Sequence, residues 1–98
     1  MYKDERWVQQ ERNMLISLLQ DAQNNQKRKD LSKASALLEE AKEIIESVRD
    51  AEQDGFDNMT EGLQQTERGQ MMEEAIGNLD SAIDSIDEAI DYIDEASV

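Results

Sequence analysis

Residues 75–96 read AIGNLDSAIDSIDEAIDYIDEA, a seven-residue unit that repeats three times before Ala96. With Ile76 at heptad position a, Ile76, Ile83 and Ile90 fall at a, while Leu79, Ile86 and Ile93 fall at d. Ala75, Ala82, Ala89 and Ala96 then take position g, one small residue per heptad beside the apolar seam. Apolar spacings of three and four, kept over three heptads, specify a long amphipathic helix, because a strand would alternate with a period of two. The spacing predicts this helix over about 67–96, capped by Thr66.

Working outward, the chain holds no proline and four glycines in 98 residues, so little interrupts helix anywhere and the fold class is all-α, in a single domain over 1–98. Ala34, Leu37, Leu38, Ala41, Ile44, Ile45, Val48 and Ala51 form the stripe of a second helix, predicted over about 31–53 with Asp30 as its N-cap. The doublets Leu37/Leu38 and Ile44/Ile45 make that face wide enough for two neighbouring helices. A first helix is predicted over about 4–25 from Trp7, Val8, Met14, Leu15, Leu18, Leu19 and Ala22, with Asn24 and Asn25 starting its stop. The bases of QKRK, residues 26–29, suit a helix C-terminus, where the macrodipole favours cations; a phosphate or acidic-partner patch is the functional alternative. The architecture expected is a three-helix antiparallel bundle or an extended helical hairpin, with a short helical corner between helices 2 and 3. About 30 residues at 1.5 Å each make the third helix near 45 Å, longer than either predicted neighbour. Its surplus seam, Ile83, Ile86, Ile90 and Ile93, is therefore expected to join copies into a homodimer or larger oligomer.

The corner is FDNMTEGLQQTERG, residues 56–69. Asp54 and Gly55 are expected to end the second helix, with Gly55 in the left-handed C′ position. Asn58 followed by Glu61 fits a capping box for a turn over about 59–64, with Phe56 and Leu63 pointing inward. This stretch and the acidic heptads after it resemble a group of small helical proteins of tailed phages and prophages, chiefly of Gram-positive bacteria. Their pattern runs from an acidic, glutamine-bearing helix end through F-D-N, a hydrophobic residue and usually proline, to a Leu-Gln pair and an S/T-E-R/K-G start. Phe56, Asp57, Asn58, Met59, Leu63, Gln64, Thr66, Glu67, Arg68 and Gly69 match it, and Thr60 stands where proline is expected. The likeness covers about half the chain. It implies a phage accessory context and a helical hairpin, and carries no activity with it.

Composition narrows the chemistry. The chain has no cysteine and no histidine, which removes thiolate chemistry, the usual general base and the commonest transition-metal ligand; no cofactor, metal site or catalytic residue is expected. No run of apolar residues is long enough for a membrane span, and the start MYKDERWVQQ has no apolar signal region, so the expected location is the host cytoplasm. The net charge of −14 is unevenly placed: residues 1–33 carry +2 and residues 34–98 carry −16, with no base after Arg68. Phosphate backbones would be repelled by the second part, which disfavours direct nucleic-acid binding and favours a basic protein surface.

Two groups are candidate sites. Asp80, Asp84, Asp87, Asp91 and Asp94 recur at steps of four and three at positions e and b, an acidic edge beside the seam. Like charges at these steps each cost a helix about 0.2–0.5 kcal/mol, so the ladder is either a partner-binding edge or a solvated one tolerated by a strong seam. Tyr2, Lys3, Arg6 and Trp7 combine rings that stack with cations that hold phosphate, and Arg68 at a helix start could add an anion contact; the alternative is a core anchor at Trp7. The expected function is non-enzymatic: an anti-defence inhibitor that binds a host protein through the acidic surface. The alternatives are an oligomeric sponge for a nucleotide immune signal and a virion structural or scaffolding component.

Overall fold

The computed structural model describes residues 5–98, and these are helical almost throughout. Helix α1 spans Glu5–Asp57, α2 spans Glu61–Gln64 and α3 spans Glu67–Ala96. The first and second predicted helices are thus one helix of 53 residues, with no interruption at Asn24, Asn25 or Asp30. The reason is energetic. Asn, Gln and Asp each cost a helix interior no more than about 0.7 kcal/mol relative to alanine, and neither glycine nor proline stands between residues 5 and 54 to break the run. The side chain of Gln26 donates to Asp30 Oδ1 at 3.0 Å, one turn along, so Asp30 supports the continuing helix instead of capping a new one.

The outcome is an extended hairpin, 92 × 14 × 14 Å, and not a compact bundle. Its Cα radius of gyration is 25.6 Å, about twice the ~13 Å expected of a compact chain of this length. The second part of α1 folds against α3. Leu31, Ala34, Leu38, Ala41 and Ile45 are half-buried on α1, and Leu79, Ile83, Ile86, Ile90 and Ile93 are half-buried on α3 around the buried Ile76. The isoleucine seam expected to join copies is therefore occupied within the chain. The first part of α1 has no such cover: every residue from Glu5 to Asp30 is exposed, including Trp7, Met14, Leu15, Leu18 and Leu19. Surplus helix length lies in α1, not in α3 as expected.

The corner is built by backbone groups finding partners. Gly55 stays inside α1 with a negative φ, and α1 ends two residues later at Asp57. Asn58 N–H donates to the Asp54 carbonyl at 3.0 Å and Met59 N–H to that of Phe56 at 3.1 Å, closing the last turn. The cap of α2 is Thr60, not Asn58: its backbone is extended and its hydroxyl accepts from Leu63 N–H. Thr66 caps α3 in the same way, accepting from Gly69 N–H at 3.4 Å. Gln64 Nε2 donates to the Phe56 carbonyl at 2.9 Å and ties α2 back to the end of α1. Phe56 is half-buried, whereas Leu63, expected to point inward, is exposed. Gly69 is buried because α3 starts against α2; a Cβ there would sit 2.7 Å from the Gln64 carbonyl carbon and Cα, closer than any side chain tolerates.

Candidate binding surfaces

The two helices of the hairpin carry matching heptads. With Leu31, Leu38 and Ile45 at position a of α1, Ser35, Lys42 and Arg49 lie at e and Leu37, Ile44 and Ala51 at g. Antiparallel pairing sets e against e and g against g, so the hairpin has two different sides.

On the e side, Arg49 Nε donates to Asp80 Oδ1 at 2.8 Å, and Lys42 Nζ sits 2.7 Å from Asp87 Oδ1. The two bridges are one heptad apart on both helices, which fixes the register. The hydrogen bond to Asp87 holds the Lys42 amine above its ordinary range, and that to Asp80 does the same for the Arg49 guanidinium. One heptad further, Ser35 faces the level of Asp94, and its buried hydroxyl finds no hydrogen-bond partner. The five-carboxylate edge read from the sequence is therefore divided. Asp80 and Asp87 are engaged within the chain, and Asp84, Asp91 and Asp94 are exposed. Spacing alone did not reveal this division, although Lys42 and Arg49 at a heptad interval were the signal for it.

The g side is apolar. Leu37 and Ile44 are exposed on α1, each more than half accessible, and Ala75, Ala82 and Ala89 line the facing row of α3. The wide face of the second predicted helix is thus present, with Leu38 and Ile45 turned to α3 and Leu37 and Ile44 left exposed. At the corner, Arg68 continues the alanine row by one heptad and borders a shallow hollow lined by Glu52, Glu67, Arg68, Met71 and Met72.

Of the second candidate group, Arg6 and Trp7 are not brought to Arg68 within one chain. Tyr2 and Lys3 lie outside the described residues. Arg6 and Trp7 lie at the far end of α1, and at 1.5 Å per residue the 45 residues from Trp7 to Glu52, beside Arg68, span about 68 Å. A second open hollow, lined by Glu5, Val8, Gln9 and Arg12, lies on the arm itself. Among the described residues no group of three or more acidic side chains is arranged to hold a metal ion, and no helix is long and apolar enough to cross a membrane.

No protein-family model matches the chain, and searches of curated proteins and of solved structures return no match.

Proposed function

We propose that this chain is a non-enzymatic phage accessory protein, an anti-defence inhibitor that binds a basic surface on a host protein through the outer face of its hairpin. One observation carries the reading. Of the three bases in residues 34–98, Lys42 and Arg49 are committed to Asp87 and Asp80, which leaves Asp84, Asp91 and Asp94 exposed and, among the described residues, without an ion pair. The field of such a surface raises the encounter rate with a basic partner and weakens steeply with salt.

Charge reversal tests it. Asp84, Asp91 and Asp94 changed together to Lys leave the two internal bridges intact, so helicity by circular dichroism should persist while capture of a host protein from a bacterial lysate is lost. Capture at undiminished yield by the reversed variant would sink the proposal. The corner supports the phage reading only through the resemblance of Phe56–Gly69. Phe56, Gln64, Thr66 and Gly69 each have a structural task there, which accounts for their spacing without a ligand.

A further inference from the structure

We infer that the exposed arm, residues 5–30, docks antiparallel into the apolar g-side groove of a second copy of this chain, and that the same contact is made reciprocally. The occupant of the groove is thus the arm of another copy.

Area makes the first case. The accessible surface is 8063 Å², whereas a compact monomer of 11.2 kDa exposes about 5,700 Å². The excess exceeds the ~800 Å² per partner that a standard interface covers, so a dimer has enough surface to bury. In proteins most helical stability comes from packing an apolar face, and the arm, unpacked by α3, carries Trp7, Met14, Leu15, Leu18 and Leu19 exposed along it.

Direction makes the second. At 3.6 residues per turn the arm's apolar stripe is centred about 150° around α1 from the row that meets α3, and about 50° from Leu37, Ile44 and Ala51. The chain's own α3 cannot reach it. The arm stripe and the groove open to the same side of α1, so one second copy can cover both.

Length and charge make the third. The arm and the α1 segment it would lie along, residues 31–57, are each about 40 Å long. A register with Leu15 opposite Ile44 of the second copy also sets Val8 opposite Ala51, Ala22 opposite Leu37 and Lys29 opposite Asp30. In it Trp7 reaches Glu52, beside the methionine-lined hollow. Antiparallel docking brings the arm, whose five bases and four acids sum to +1, onto the part of charge −16, whereas parallel docking would stack two acidic hairpins. Each end of the dimer is then a three-helix unit made from two chains.

Sedimentation equilibrium of the full chain across a micromolar concentration series should give the mass of two copies. Leu15→Glu and Ile44→Glu, at positions exposed in the single chain, should each raise the apparent Kd by ~100-fold or more, since each places a charge in the contact. A mixture of Leu15→Cys and Ile44→Cys chains should oxidise to a mixed disulfide dimer in preference to either self-linked one. A monomer throughout, a dimer indifferent to both glutamates, or preferential self-linking through Leu15→Cys would each overturn the proposal.

Discussion

The arm and the hairpin body are two halves of one continuous helix, made by similar local rules and left in opposite circumstances. Both have apolar residues at helical spacing, both lack proline, and the one glycine of the helix they share, Gly55, stands two residues before its end. The body has α3 opposite it, with Ile76 buried and two ion bridges on its flank, while the arm lies beyond the reach of α3 with every residue from Glu5 to Asp30 exposed. Local propensity therefore decides where helix forms, and only the chain's return at the corner decides which part of that helix is covered. The two halves should differ sharply in what a truncation costs.

The largest effect is expected at the seam. Ile76→Ala should destabilise the hairpin by about 2–4 kcal/mol in chemical denaturation, from lost burial and the space left behind. Leu15→Ala, below the concentration at which copies associate, should change the same midpoint by less than about 0.5 kcal/mol. If the two substitutions cost alike in the monomer, the contrast between arm and body is wrong.

Next comes the corner, which creates the contrast by sending the chain back along one half only. Gly69→Ala puts a methyl group against the backbone of Gln64, so α2 or the start of α3 must shift, at about 1–3 kcal/mol. Gly77→Ala is the control within the same helix. Gly77 is exposed with nothing within 4 Å of an added Cβ, so the substitution should stabilise by about 0.5–1 kcal/mol. Opposite signs at two glycines eight positions apart, read as shifts of the thermal midpoint, would separate a packing requirement from a propensity penalty.

How much of this was legible in the sequence follows the same division. The heptads of α3, the Thr66 cap and the inward Phe56 were readable because each depends on neighbours a few residues away. The break expected between residues 25 and 31 was not real, since Asn and Asp preferences for stops and caps are weaker than the propagation of a helix already formed. Gly55 did not mark the helix end, because a closing turn through Asn58 and Met59 served without a left-handed residue. That Ile83, Ile86, Ile90 and Ile93 are half-covered within the chain was not legible for a nonlocal reason: one long helix, folded back once, matches that row to its own second half and leaves its first half over. The split of the Asp ladder was half legible, for it needed the register that places Lys42 and Arg49 at the e positions.

The smallest expected effect tests that register. The e side is a ladder with two filled rungs and a third, at Ser35 and Asp94, where a hydroxyl stands orphaned. Ser35→Lys places an amine where Lys42 and Arg49 stand in the next two heptads, and should raise the thermal midpoint slightly; Ser35→Ala, which only removes the hydroxyl, separates that loss from the gain of a bridge. The pH dependence carries the sign. Because its bond to Asp87 holds the Lys42 amine above the ordinary 10.5, its bridge is fully formed through neutral pH and is lost only as pH rises through that raised value. The stability difference between wild type and Lys42→Met should accordingly stay flat at neutral pH and close on the strongly alkaline side, and Ser35→Lys should show the same alkaline loss of its gain. A gain that survives alkaline titration would come from helix propensity and not from Asp94, and the register would then rest on two rungs alone.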